Sequence, residues 1–339
     1  MTATPKVSIV IPTYNAEETI GPLLESLLRL DYPDFEVIVV NDGSKDGTKD
    51  VVRRYPVRLV DQPNKGASAA RDAGLRLASS EIVAYVDSDV AVTRDWLQKL
   101  IAPFSDPTVA ATTGQTIFRR NQKCASWLRS LDIERRNAHR RTFTKLANGP
   151  NSAFRRAVLL DVGGFDPHWY HAEDTEVSYR IWRRGYRIRY VPEAIVYHVP
   201  EEDWKNYLRK RYRDATAFTR ILKRYSRHAV LEDDFVSIGM KVQPPLFLLT
   251  LLLAALALLL LWTPWLSFIA VSLLCMFALA VILNVPEALA VARASRRSTF
   301  FFKGIGLNVL RGFVWGVGLG VGTIRHIIRA EPSSGGLKT

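Results

Sequence analysis

The sequence predicts an α/β fold with a mostly parallel central sheet, followed by interfacial helices and a membrane hairpin. Three observations carry that expectation. Short apolar runs alternate with helical patterns from Val7 to Val86, two of those runs end in acidic motifs, and no charged residue falls between Val242 and Pro286.

"VSIVI" (Val7 to Ile11) is a buried-strand run, and Ile20, Leu23, Leu24, Leu27 and Leu28 then share one helical face. "FEVIVVN" (Phe35 to Asn41) is a second strand, with a short helix from about Asp46. "VRLV" from Val57 is a third, "GASAARDAGLRLA" from Gly66 is a helix of small residues, and Ile82 opens a fourth strand. This alternation implies parallel strands with helices on both faces and a ligand at the carboxyl ends of the strands. Asp42 in "NDGSKDGT" follows the second strand and Asp87 and Asp89 in "DSD" follow the fourth, so all three acids belong to one edge. A lone Asp-x-Asp is most simply a turn, because short polar side chains bond nearby amides. Three acids on one rim suit Mg²⁺ or Mn²⁺ bridging carboxylates to phosphate. The first strand leads into "PTYNAEE" rather than Gly-x-Gly-x-x-Gly, which counts against a dinucleotide-binding dehydrogenase.

The net charge of +13 is local. Phe118 to Arg141 carries eight Lys/Arg against two acids and Asp203 to His228 nine against two, which together make up the excess. No helix-turn-helix, zinc-finger or RNA-recognition pattern accompanies them, so the expected partner is an anionic lipid surface and not nucleic acid. The uncharged gap of 45 positions would extend ~67 Å as a helix at about 1.5 Å per residue, about two crossings of a ~30 Å hydrocarbon layer. "WTPW", Trp262 to Trp265, divides it into legs Leu246 to Trp262 and Trp265 to Leu283. The opening "MTATPKVSIVIP" has no signal-peptide pattern and the two cysteines, Cys124 and Cys275, offer no disulfide framework. Both lead to the expectation of a multi-pass protein of the cytoplasmic membrane with its soluble part in the cytoplasm. Phe300 to His326 is a further apolar stretch, but only thirteen residues separate Arg311 from Arg325, fewer than the roughly 17 of a spanning helix. A re-entrant or interfacial helix is expected there, packed through Gly312, Gly316 and Gly320 on the hairpin or on a second subunit. The expected organisation is a catalytic domain over 1–200, basic interfacial helices over 201–241, membrane segments over 242–329 and a disordered tail over 330–339.

"VSIVIPTYNAEETI", "VVNDGSKDGT", "NKGASAARDAG" and "YVDSDV", in that order, resemble the nucleotide-sugar-binding half of the family 2 glycosyltransferases, which have the GT-A fold. "NGPNSAFRRAVLLDVGGFDP" and "HAEDTEVSYRIWRRGYRI" resemble the acceptor half, so the likeness runs from about Val7 to His198. The resemblance implies that Asp42 bonds the nucleobase and that Pro12, Tyr14, Asn15, Asn64, Gly66, Arg71 and Ser88 line the donor site. It further implies Asp87 on ribose or metal, and Asp89 on a Mn²⁺ or Mg²⁺ ion at the diphosphate. Asp174 would be the base and Glu173 its orienting neighbour, although acids at these positions also suit a helix N-terminus. His198 stands open between a metal ligand and a structural histidine. Asn151, Arg209 and Arg211 would meet acceptor or diphosphate. Processive members carry Gln-x-x-Arg-Trp where this chain has "YLRKRY", which points to single addition.

The activity expected is metal-dependent, inverting transfer from a nucleotide sugar, UDP-sugar favoured, to a hydroxyl of a lipid or lipid-linked glycan. The alternatives are a polyprenyl-phosphate glycosyltransferase, whose acceptor needs no base, and a membrane scaffold keeping an inactive transferase domain.

Overall fold

A computed structural model describes residues 5–200, 203–225, 246–247, 249–250 and 265–328. The first membrane leg, Leu246 to Trp262, and the tail from 330 therefore lie almost wholly outside the described residues. Two compact units form: residues up to 119 with 133–199 in one, and residues 120–132 with the described residues from 200 onward in the other.

The first unit is built on a single sheet. Strands β1 (Val7–Thr13), β2 (Phe35–Asn41), β3 (Arg58–Asp61) and β4 (Ile82–Val86) are the four read from the sequence. They lie in the order β3-β2-β1-β4 and are all parallel. Beyond β4 the sheet becomes mixed rather than mostly parallel. Strand β8 (Asn151–Arg155) runs antiparallel to both β4 and β6 (Val109–Phe118), and β9 (Arg187–His198) is parallel to β6. Two short strands, β5 (Val90–Val92) and β7 (Phe143–Thr144), pair antiparallel with β9.

Alternation along each buried strand sorts side chains to two cores. Val7, Ile9 and Ile11 join Ile20, Leu23, Leu24 and Leu27 of helix α1 (Ile20–Leu27) on one face. On the other, Val10, Ile38 and Val40 meet Ala70 and Leu75 of α3 (Ala67–Leu77), the small-residue helix. Helices on both faces are why these strands read as continuous apolar runs, each large side chain contributing about 1.5–3 kcal/mol on burial. The remaining helices of this unit are α2 (Thr48–Val52), α4 (Trp96–Ile101), α6 (Arg156–Asp161) and α7 (Glu173–Arg183), while α5 (Cys124–Ala138) begins in the second unit.

The second unit holds α8 (Trp204–Arg224), α9 (Trp265–Ser295) and α10 (Thr299–Gly322), the last ending in a π-helical turn, Thr323–Ile328. Ser267–Ser295 and Thr299–His326 are long and apolar enough to cross a membrane by length and composition. Helix α10 is unbroken through Arg311, whose guanidinium is buried against Glu287 of α9 at 3.1 Å and the Tyr207 hydroxyl of α8 at 3.3 Å. The apolar side of α8 is covered by α10 instead of facing outward: Tyr207 and Leu208 meet Leu307 and Val314. Farther along, Tyr212 and Ala215 back onto Gly318, and Thr216 and Thr219 onto Gly322. The glycines that admit α8 are thus Gly318 and Gly322, whereas Gly312 faces Phe247 and Gly304 faces Ala288 of α9.

Candidate active site

The parallel register aligns the ends of β1 and β2, Thr13 opposite Asn41, beside β4 ending at Val86, so the loops after all three open on one edge. Asp42 lies at that edge, only 3% exposed. Its Oδ1 accepts from Gln62 Nε2 at 2.7 Å and Lys65 N–H at 2.8 Å, and its Oδ2 from Gly66 N–H at 2.8 Å. The carboxylate therefore organises the loop ahead of α3, where Gly66 turns at φ 90°, a conformation open to glycine. Asn15 ties the first loop to the second: its N–H donates to Ser44 Oγ and its Oδ1 accepts from Lys45 N–H, both at 2.9 Å. Tyr14 and Asn64 are exposed along this rim, Ser88 is half-buried, and Pro12 is buried within β1.

After β4 the chain turns through Asp87, Ser88 and Asp89 and enters β5, whose Val90 pairs with His198. That pairing brings together residues more than a hundred positions apart. One ligand atom each from Asp87, Asp89 and His198 lie within 4.8 Å of one another, with His198 Nε2 3.3 Å from Asp89 Oδ1. His198 Nδ1 is 3.0 Å from the Val199 carbonyl, which can only accept, so Nδ1 carries a hydrogen and Nε2 is the ring nitrogen directed toward the carboxylates. Phe118 stacks on the imidazole with centroids 4.4 Å apart and holds its plane. Two carboxylate oxygens and an imidazole nitrogen form a donor set suited to Mn²⁺ or Mg²⁺.

The second acidic pair opens α7. Ala172 ahead of it is left-handed at φ 58°, which costs a non-glycine residue roughly 1–2 kcal/mol and re-aims the chain into the helix. Both oxygens of Asp174 are held: Oδ2 accepts from Gly149 N–H at 3.0 Å, and Oδ1 from Thr175 N–H at 2.7 Å. Glu173 pairs with Arg71 of α3, and the other arm of that guanidinium reaches Asp87 Oδ1 at 2.7 Å. Burial pushes the Glu173 carboxyl up, the Arg71 charge pulls it back, and Asp174 adds to the rise. Arg71 is buried and remains protonated among these acids.

Two residues, Asn151 and Arg211, stand differently from their expected roles. Asn151, expected at acceptor or diphosphate, is fully buried. Its amide donates to the Gln115 and Ala194 carbonyls and accepts from Trp96 Nε1 at 2.9 Å, so it joins β8 to β6, β9 and α4. Arg211 is buried in the second unit against Asp214 at 2.9 Å, whereas Arg209 is exposed and bonds Asn206. Sequence reasoning also passed over Gly149 and Phe118. "NGPN" was a legible signal for the first, and nothing in the linear pattern marked the second.

A sheet edge that gathers Asp-x-Asp, a histidine and a second acidic pair has the architecture of a GT-A glycosyltransferase. Residues 8–163 match the Glycosyl transferase family 2 model. It is 34% identical over 206 residues to the pre-mycofactocin glycosyltransferase of Mycobacterium tuberculosis, covering 57% of this chain and 42% of that protein. It is 28% identical over 255 residues to the poly-beta-1,6-N-acetyl-D-glucosamine synthase of Staphylococcus aureus, covering 72% and 60%. The chain thus spans about half the length of the curated relatives it matches. Among solved structures, the mannosyltransferase PcManGT of Pyrobaculum calidifontis, in complex with GDP-Man and Mn²⁺, superposes with a TM-score of 0.59 at 25% identity. That likeness covers 93% of this chain and 88% of that one.

Proposed function

We propose that this protein transfers a sugar, with inversion, from a nucleoside diphosphate to a hydroxyl of a lipid or lipid-linked glycan at the cytoplasmic face of a membrane. The observation that carries the reading is that Arg71 bridges Asp87 of the Asp87–Asp89–His198 cluster to Glu173, the immediate neighbour of Asp174. Asp174 takes the acceptor proton as its oxygen attacks the anomeric carbon, and the bond to the diphosphate breaks with its electron pair. Asp87, Asp89 and His198 would hold a divalent ion, which neutralises charge on the departing diphosphate. Asp42, by bracing the loop 62–66, shapes the floor for the base, while Tyr14 offers an exposed ring beside it. UDP-sugar remains the first donor to test. The GDP-Man held by PcManGT makes guanine the second. Release of nucleoside diphosphate from a purified nucleotide-sugar panel, dependent on Mn²⁺, tests the reading. Absence of release from every donor would favour the scaffold alternative.

A polyprenyl-phosphate acceptor is disfavoured by Asp174, since an anionic nucleophile needs no base. Arg209 supports a lipid-phosphate-linked acceptor because it lies on the exposed basic face of α8 with Lys205, Arg213, Lys223 and Arg224. Arg209→Ala lowers transfer to such an acceptor several-fold and spares a soluble hydroxyl analogue. Equal loss on both would remove Arg209 from the acceptor site.

The membrane reading takes α9 as a span and α10 as an interfacial helix. Support comes from the length of the α8–α10 contact: a helix whose outer face is Arg and Lys runs beside α10 from Leu307 to Gly322. If α10 crossed the bilayer, that charge would sit at hydrocarbon depth, at roughly 2.5–3.5 kcal/mol per residue at the centre. The outward face of α10, with Phe302, Leu310, Phe313 and Val317, suits shallow insertion. In a chain with Cys124 and Cys275 replaced by Ser, Ser334→Cys stays unlabelled by an impermeant thiol reagent on intact cells. Labelling without permeabilisation would make α10 a span.

A further inference from the structure

We propose that Arg71 is a positioning residue that joins the donor and acceptor halves of the site, rather than a contact to the nucleotide. The proposal rests on the reading of Asp87 as a metal ligand and Asp174 as the base. Arg71 stands on α3, whose small residues let it lie close to the sheet, and the residue is 4% exposed. One arm bonds Asp87 Oδ1 and the other bonds Glu173. Its Nε is buried with no hydrogen-bond partner, so the group is oriented for two carboxylates at the expense of its third donor direction. Asp174 is drawn into the same frame through Gly149. A methyl group at Gly149 would lie 3.1 Å from Arg71 Nη2 and 3.5 Å from Asp174 Oδ2, so guanidinium, backbone and base are packed without slack.

Two consequences follow from the geometry, and they have opposite signs. Arg71 places a positive charge in hydrogen-bond contact with Asp87, so it weakens the attraction of the carboxylate pair for a divalent ion. It also anchors Glu173, and with it the first turn of α7, so it fixes the angle at which Asp174 meets the acceptor. A planar fork can bridge two carboxylates in this way, whereas a lysine ammonium is a point charge that cannot reproduce the fork. A residue that merely bound donor phosphate would show neither pattern, since its loss would raise the donor KM. A residue that merely held the fold would lower all functions together with the melting temperature.

The experiment uses the full chain in detergent, with wild type, Arg71→Met and Arg71→Lys compared by three measurements. Free Mn²⁺ is followed by electron paramagnetic resonance without nucleotide, steady-state transfer gives kcat and donor KM, and thermal melting reports the fold. In Arg71→Met, Mn²⁺ binds about tenfold more tightly, while kcat falls about 100-fold with donor KM within about threefold of wild type. In Arg71→Lys, which retains the charge if the methionine variant fails to fold, Mn²⁺ affinity stays near wild type and kcat still falls about tenfold or more. A raised donor KM at unchanged kcat, or Mn²⁺ binding in Arg71→Met that is unchanged or weaker while wild type binds the ion, would overturn the proposal alone. Failure of wild type to bind Mn²⁺ would overturn the metal reading and this proposal with it.

Discussion

Replacing Asp174 by Asn lowers kcat for sugar transfer by about 100-fold or more, the scale of a lost general base, and leaves the donor KM within about threefold. The amide is nearly isosteric but cannot accept the acceptor proton. It also cannot serve both of its neighbours as the carboxylate does. Gly149 N–H and Thr175 N–H each point at one oxygen, and an Asn must turn its NH₂ toward one of those donors. A stability loss of about 1–3 kcal/mol is therefore expected beside the catalytic one, from the backbone N–H left without an acceptor. Thermal melting and donor KM separate the two effects, because an altered fold would disturb donor binding as well. Turnover at the wild-type rate would remove Asp174 from the base role and restore the polyprenyl-phosphate reading.

Asp89→Ala abolishes the Mn²⁺ dependence of nucleoside diphosphate binding and reduces transfer by about 100-fold or more, because charge on the leaving diphosphate is then left uncompensated. Asp89 is placed twice over: its carbonyl accepts from Val199 N–H at 3.0 Å, and its carboxylate faces His198. His198→Ala is the weaker lesion. It removes one neutral ligand while two carboxylates remain, so metal affinity falls by about tenfold and transfer recovers as Mn²⁺ is raised. Chelation of wild type reproduces the Asp89 defect and added Mn²⁺ reverses it. Full activity in the presence of chelator would exclude the metal from the reaction. An equal, metal-insensitive loss in both variants would mean that the cluster serves the fold.

The parallel half of the sheet was legible because local periodicity reports burial directly. Strands buried on both faces read as unbroken apolar runs, and acids cannot continue such runs, so the ends at Asn41 and Val86 were visible as changes of composition. The reversal after β4 was not legible. β8, Asn-Ser-Ala-Phe-Arg, is short and only partly apolar, and its direction depends on a pairing with β6, some forty residues earlier, that leaves no local mark. Asn151 misled for a related reason. An asparagine in "NGPN" looks like a site residue, yet three buried elements satisfy its amide. The partner of Arg311 was not legible either, since Glu287 lies twenty-four residues earlier on α9.

The sequence by itself determined the class of fold and the edge that Asp42, Asp87 and Asp89 share, and its resemblance to a family singled out Glu173 and Asp174. Each depends on residue type and spacing within one or two elements. Only the tertiary structure decided the company those residues keep: His198 beside Asp89 through the β5–β9 pairing, Arg71 between Asp87 and Glu173, and Asp42 turned onto the loop 62–66 ahead of α3. The physical reason is the sequence distance these contacts close. A hydrogen bond or ion pair acts over about 3 Å in space, so it is selected only after the sheet and helices have brought distant segments together. Until then no local preference distinguishes an arginine that meets a phosphate from one that bridges two carboxylates.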